Sequence, residues 1–469
     1  MSTVAVPHSS FLHSQLKPAE LRVVQVLEIG LAITAPLWLY ALFFPDGYDY
    51  GRGLILGLVL ICANMVLVLK VSKVDLCAHR VMPVAYLAKL AAAGAYIYMV
   101  QHLFQGSDLI GYQDAGTQNA ADFLVTHQWW RSGVGTNTDF MISVVTGLYI
   151  ITGPCLALGI TLFATLAFWG EYLIYRACCV SLKTVNRGRA ALLLMLFPSI
   201  VFWSASLGKE ALMYFAIGLA AYGVARLTRS PSPIAFLSLG TGFALAAVVR
   251  PHVAALLAVA ITATYFFTKN ANGAAGIVIK IFSLPLLAYG SWFSFHQATQ
   301  FLKAESVSAG FKVIHKLGQD TAYGGSMTAA NESLSSRLVQ APFLLFRPFP
   351  WEVHNMQAAV ASLEGVLLFW LLWSWRRDFL SGVRRIRSDA TVLFSIIYCL
   401  FYSVMLASAL SNIGLIARQR VLMAPFALML FCTRSEGKDG FASRWFQSAS
   451  AAAQGTRRPP PLRARVRAG

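Results

Sequence analysis

Charge is what this chain has least of. Only 12% of its 469 residues are Asp, Glu, Lys or Arg, and the acids are the scarcer half, 20 against 38 bases. So little charge beside 57% hydrophobic residues and a mean hydropathy of +0.60 excludes a water-soluble globular fold. Several chemical signatures are missing as well. There is no CxxC, no HExxH and no Walker spacing, so the sequence offers no zinc site and no nucleotide-binding loop of the usual kinds. The seven cysteines, Cys62, Cys77, Cys155, Cys178, Cys179, Cys399 and Cys432, lie in or beside apolar runs and read as packing residues. The polar start of the chain lacks a compact apolar stretch ending in a small-residue cleavage site, and the first apolar run reads as an uncleaved signal anchor.

What is abundant is apolar sequence of membrane-crossing length. A helix of 17 to 25 residues covers about 30 Å of hydrocarbon while satisfying its own backbone. Such runs fall near 23–44, 53–71, 82–104, 156–176, 189–206, 210–227, 233–249, 252–268, 276–296, 356–374, 390–410 and 417–433. The expected fold is an all-α integral membrane protein of about 12 transmembrane helices (23–433), with two long outer-face loops, 105–138 and 297–355. A short tail precedes it (1–22), and a basic, disordered tail follows (434–469). The stretch 140–177, interrupted by Gly153 and Pro154, admits one crossing preceded by a re-entrant or interfacial helix, or three short crossings.

The net charge of +18 is distributed unevenly. With both termini inside, the inner loops and tails hold 26 of the 38 Lys and Arg against six acids, while the outer segments hold 11 of each sign. That is the positive-inside asymmetry of a multi-pass protein in a cytoplasmic membrane, and it needs no nucleic-acid partner. The clusters "RRDFLSGVRRIR" and "TRRPPPLRARVRAG" lack interleaved aromatics and suit anionic lipid headgroups instead.

Function is therefore sought on the outer face. There "FWSASLGKEALMY" places Lys209 and Glu210 at a hinge between two spans. "VVRPHVA" adds Arg250 and His252, "LFRPFPWE" adds Arg347, and "NIGLIARQR" adds Arg418 and Arg420. Adjacent residues on a helix point about 100° apart, so Lys209 and Glu210 are not expected to pair with each other. Proline after Arg250 and Arg347 holds each arginine at a break between elements. Arg and Lys at a membrane surface suit phosphate, and the same residues also serve as interfacial anchors. "GSDLIGYQDAG" supplies Asp108, Tyr112 and Asp114, with Asp108 and Tyr112 four apart on one helix face. A carboxylate here has two chemical uses: general base toward a sugar hydroxyl, or ligand of a divalent cation beside a pyrophosphate. It also has a bland one, as a helix cap. "RSGVGTNTD" carries the glycines of a phosphate loop without its lysine. The outer histidines, His102, His127, His296, His315 and His354, show no ligand spacing. The charges inside apolar runs, Glu28, Lys89, Glu171 and Glu364, read as structural pairs or snorkelling residues.

Taken together, the acid-Tyr-acid loop, "FPSIVFWSASLGKEALM", "VVRPHVA", "RPFPWE" and "SNIGLIARQRVLMAP" resemble multispan enzymes of bacterial surface-polysaccharide assembly over about residues 100–430. Two branches are similar: the GT-C-type glycosyltransferases, which use polyprenyl phosphates, and the Wzy-type and EpsG-type polymerases. The first resemblance implies an outer-loop carboxylate base, which maps onto Asp108 or Asp114. The second implies outer arginines on pyrophosphate and sugar, which map onto Arg250, Arg347, Arg418 and Arg420. The acidic loop follows the third span here rather than the first, and no Arg-x10-Gly repeat is present, so both branches remain open. Either implies a polyprenyl-linked saccharide as substrate, with membrane lipids and other polysaccharide-assembly proteins as partners. A transporter or lipid-linked oligosaccharide flippase fits twelve spans equally well.

Overall fold

The structure is a computed structural model. It describes residues 49–73, 76–102, 107–128, 136–182, 184–229, 232–267, 339–353, 356–386, 388–410 and 412–433, with single positions at 285, 288 and 292. All of these lie in one compact unit, Met1–Arg434. The expected span at 23–44, most of that at 276–296, most of the loop 297–355, and both tails lie outside the described residues, as do Glu28, His296, His315 and His354.

Among the described residues every regular element is helical. In chain order they are α1 (Asp49–Ser72), α2 (Leu76–His102), α3 (Asp108–Thr126), α4 (Thr138–Thr152), α5 (Leu156–Ser181), α6 (Arg187–Met195), α7 (Pro198–Trp203), α8 (Lys209–Arg229), α9 (Pro233–Val249) and α10 (Pro251–Phe267). After the short 3-10 turns at Ala341–Phe343 and Pro350–Glu352 come α11 (Met356–Ser374), α12 (Arg376–Val383), α13 (Ala390–Ala409), α14 (Ile413–Gln419) and α15 (Ala424–Met429). Five helices are long and apolar enough to cross a membrane: Gly51–Ser72, Val81–Val100, Leu156–Ser181, Lys209–Arg229 and Ala390–Ser408. Two bent pairs, α11 with α12 at 79° and Gly414–Leu422 with Ala424–Cys432 at 57°, bring the number to seven if each counts once. The chain thus has the helices of an all-α, multi-pass membrane protein.

Side-chain contacts sort the helix termini into two ends. At one, α2 gives way to α3, α8 begins, α9 meets α10, and α14 follows α13. At the other, Arg189 of α6 pairs with Asp378 of α12 at 2.6 Å, Arg229 of α8 with Asp389 at 3.5 Å, and Arg385 bonds Thr184 at 2.6 Å. The helix α4 has both its ends at the first of these. The Asn137 N–H reaches Val248 O at 2.7 Å, and Ile151 O accepts from Arg52, at the start of α1, at 2.5 Å. The apolar run 140–177 therefore contains one crossing-length helix, α5, preceded by a helix that lies along the end of the bundle. Gly153, at φ 78°, makes the corner between them, a backbone angle open to glycine at little cost.

The run 189–206 corrects the expectation of one continuous span. Residues Leu196 and Phe197 separate a nine-residue helix from a six-residue one, because Pro198 cannot continue a helix from within. The early end of α7 at Trp203 is chemically used. Lys89, buried in α2, donates to Ile200 O at 3.0 Å and Val201 O at 3.1 Å, carbonyls near the end of α7, and to Ser204 Oγ at 2.7 Å, while pairing with the buried Glu171 of α5. Carbonyls that a longer helix would have kept for itself thus solvate a buried ammonium.

The helix α8 is the axis of the bundle, pressed between α5 and α9. A Cβ on Gly218 would lie 2.8 Å from Gly170 Cα, and one on Gly242 would lie 2.6 Å from Ala220 N. Backbones this close are the small-residue packing that joins helices where no water is displaced. Gly218→Leu is expected to lower the apparent unfolding midpoint in detergent sharply, by about 1 to 3 kcal/mol or more of overpacking strain. Gly94→Ala, on an open face of α2 with nothing within 4 Å, leaves it unchanged or slightly raised. Equal midpoints for the two variants would mean that the bundle does not depend on the close packing of α8 against α5.

Candidate functional site

The site forms at the first end of the bundle, where four joints in the chain meet. Glu210, in the first turn of α8, is fully buried. Arg418 of α14 grips it with a two-pronged contact, Nε to Oε1 at 2.9 Å and Nη2 to Oε2 at 3.0 Å. Arg250 approaches the same carboxylate from another side, Nη2 to Oε1 at 2.8 Å, and also donates to Gln419. One carboxylate therefore holds two guanidinium groups, in the planar geometry that makes Arg–carboxylate contacts strong. Gly208 leaves room for this: a Cβ there would lie 3.2 Å from Glu210 Oε2.

Each joint has a local cause. Arg250 ends α9 in an extended conformation, φ −146° and ψ 86°, because Pro251 opens the next helix. Asn412 caps α14, its Oδ1 accepting from Gly414 N at 2.8 Å and Leu415 N at 3.2 Å, which fixes the turn that delivers Arg418. Ser107 caps α3 by accepting from Leu109 N at 3.2 Å. That cap sets Asp108 in the first turn, where it meets Arg418 Nη2 at 3.1 Å while remaining 59% exposed.

Lys209 points away from Glu210. It donates to Asn137 Oδ1 at 2.6 Å and to Thr138 Oγ1 at 2.9 Å. Among the described residues no carboxylate lies within ion-pair distance of it. Asn137 precedes α4 with φ 63°, and its side chain makes no cap bond to that helix. A non-glycine residue held there is strained, and its amide oxygen is turned to Lys209 instead. Tyr112, buried on α3, has Asp108, Glu210, Arg250 and Thr138 as neighbours; burial first, then the two carboxylates, pushes its hydroxyl well above the ordinary tyrosine value. It stays a neutral hydrogen-bonding group. His252 is exposed in the first turn of α10, within electrostatic reach of Arg250 and Lys209.

The other candidates are placed elsewhere. Asp114 lies six residues after Asp108, which turns it about 120° around α3 from Asp108, and it is exposed there. Arg347 gives its guanidinium to Glu352, with Nε to Oε2 at 3.1 Å, and to Gln340. Arg420, almost wholly buried, is taken up by the carbonyls of Leu345 at 3.0 Å, Ala361 at 3.3 Å and Arg347, and by Glu364 at 3.4 Å. Arg347 thus braces the "LFRPFP" segment internally and Arg420 secures it against α11, and both are spoken for by protein acceptors.

Asn137, Thr138 and Gln419 are the site residues that sequence reasoning missed. Their only trace was position: Asn137 and Thr138 close the glycine-containing "RSGVGTNTD", and Gln419 sits between two arginines. Among the described residues no three His, Cys, Asp or Glu side chains gather to hold a metal ion. What the arrangement offers is a cationic surface: Lys209, Arg250 and Arg418 face two carboxylates, so a monoanion would complete the balance. No protein-family model, no curated protein and no solved structure matches the chain.

Because Glu210 is the shared counter-charge, Glu210→Ala is expected to cost about 3 to 5 kcal/mol of stability by stranding two arginines. Asp114→Ala is expected to leave the apparent unfolding midpoint in place. Thermal unfolding in detergent followed by size exclusion reads both, and a Glu210→Ala midpoint equal to that of Asp114→Ala would mean the arginines find other partners.

Proposed function

We propose that the chain is a membrane glycosyltransferase or polysaccharide polymerase, working at the outer face of a bacterial cytoplasmic membrane on a polyprenyl-(pyro)phosphate-linked donor. The observation that carries this reading is the convergence at one end of the bundle of Lys209, Arg250 and Arg418 with the half-exposed Asp108. Charge developing on a departing phosphate is stabilised by fixed cations, and three of them stand here already oriented. Asp108, accessible and next to Arg418, is the group for the acceptor hydroxyl's proton. Tyr112 and His252 line the same region. Glu210 changes role: with both oxygens committed to arginines, it positions them rather than touching substrate. Arg347, Arg420 and Asp114 drop out of the contact set for the reasons of geometry given above.

The topology belongs to the same proposal. On this reading the five long helices, the two bent pairs, α9, α10 and the broken pair α6–α7 count as ten crossings, and the apolar sequence runs 23–44 and 276–296 as two more, with both termini cytoplasmic. The basic end with Arg189, Arg229 and Arg376 then faces the cytoplasm. The partners follow: a polyprenyl-linked saccharide, the surrounding lipid and other polysaccharide-assembly proteins.

A second reading, a transporter or lipid-linked oligosaccharide flippase, draws on the Lys89–Glu171 pair, buried between α2 and α5 near their middles. Intramembrane charge is a mark of transport pathways.

The test is a reconstituted reaction: full-length protein in liposomes with a polyprenyl-pyrophosphate oligosaccharide and acceptor. New glycosidic bonds are expected, with Lys209→Arg keeping part of the rate and Lys209→Met losing a factor on the order of 10² to 10³, equivalent to about 2 to 4 kcal/mol. Transbilayer movement of the saccharide with no new bond would hand the protein to the second reading, and full activity of Lys209→Met would remove the phosphate from this hinge.

A further inference from the structure

At the opposite end of the bundle, α12 is short, basic and held in an unusual way. It leaves α11, a 19-residue apolar helix, at 79°, so a membrane crossed by α11 has α12 lying along its surface. Successive residues turn by about 100°, which divides α12 and its continuation into two faces. One carries Asp378, Gly382 and Arg385, and this face is clamped. Asp378 pairs with Arg189 at 2.6 Å, and its carbonyl accepts from Thr433 Oγ1 at 2.7 Å. A Cβ on Gly382 would lie 2.8 Å from Leu430 O, and Arg385 donates to Thr184 at 2.6 Å.

The other face carries Arg376, Arg377, Leu380 and Arg384 within about 100° of arc. All four are exposed, and among the described residues none of the three arginines meets a carboxylate. Arg376 stacks on the exposed Trp373, 5.0 Å from ring centre to guanidinium carbon, and donates to Trp373 O at 3.0 Å. The ridge therefore combines three cations with an exposed indole and leucine on a platform fixed from behind. The pattern is that of a helix whose apolar groups enter the acyl boundary while its arginines meet headgroups.

We propose that this ridge is a built binding site for the phosphodiester headgroups of anionic phospholipid. Rigidity separates it from a basic tail: the clamp on Asp378 and Gly382 fixes the spacing of Arg376, Arg377 and Arg384 before a lipid arrives, so little ordering cost remains at binding. The site stands apart from the outer-face reading and does not depend on it.

The experiment uses full-length protein purified from mixed phosphatidylglycerol and phosphatidylcholine vesicles, with retained lipid quantified by mass spectrometry through increasing detergent washes. The wild-type protein is expected to retain phosphatidylglycerol over phosphatidylcholine. The triple variant Arg376→Gln, Arg377→Gln, Arg384→Gln is expected to lose that retention by a factor on the order of 100, as three surface cations would. Arg385→Gln, on the clamped face, is expected to retain it. Undiminished retention by the triple variant overturns the proposal, and so does equal loss in Arg385→Gln, which would reduce the effect to bulk charge. The triple variant should also unfold at the wild-type midpoint in pure phosphatidylcholine; an early midpoint would make the ridge a structural element and overturn the site.

Discussion

The bidentate grip of Arg418 on Glu210, with Arg250 on the same carboxylate, is the contact on which the outer end depends. A buried carboxylate beside one guanidinium would be an ordinary pair. Beside two it becomes a node, because loss of that one carboxylate would strand both guanidinium charges in a low-dielectric surrounding. The node joins three chain joints remote in sequence: the start of α8, the α9–α10 corner and the turn into α14. Asp108 extends it to α3 through Arg418, and Lys209 ties in α4 through Asn137 and Thr138. The helices α3, α4 and α14 and the α9–α10 corner are thus referred to two successive residues of α8.

That arrangement requires α8 itself to be immobile. The close approaches at Gly170, Gly218 and Gly242 supply this, since backbones in contact leave no side chain to re-pack when a helix slides. Below them the Lys89–Glu171 pair, held by Ser204 and two carbonyls of α7, fixes α2 and α5 to the segment that leads into α8. Packing and electrostatics therefore act in series: glycines set where α8 stands, and the charges at its first turn set what stands around it.

Much of this was legible in the sequence, and the illegible part has a common physical form. Apolar length located α1, α5, α8 and α13 to within a few residues, because a membrane-crossing helix announces itself by composition. The scarcity of charge made Lys209, Glu210, Arg250 and Arg418 conspicuous, and a shared side was inferable from the alternation of spans. The divergence of Lys209 and Glu210 followed from 100° per residue. What composition does not encode is which acceptor a cation finds. Arg347 and Arg420 looked equivalent to Arg250 and Arg418, each beside a proline or another arginine, yet they are consumed by Glu352, Gln340, Glu364 and backbone carbonyls. The carbonyls of Leu345 and Arg347 are open because the chain is irregular around "LFRPFP", a tertiary fact. The break in 189–206 was hidden similarly: hydropathy runs straight through Leu196 and Phe197, and only Pro198 marked it.

The distinction between consumed and available cations then bears on which end of the bundle does what. Arg347 and Arg420 have their donors met by the protein and act as rivets. Arg250 and Arg418 share Glu210, Arg418 also meets the exposed Asp108, and Lys209 rests on two neutral oxygens, so these three cations are oriented against two carboxylates. A folded chain tolerates that state where an outside anion or water completes it, and Asp108, half-exposed at the rim, keeps the opening polar. At the far end Arg189 and Arg229 have acid partners in Asp378 and Asp389, and the surplus is displayed outward on α12. The basic excess of the chain thus belongs to the far end, where it is turned outward along a surface, whereas the cations of the first end are turned inward to a joint between helices.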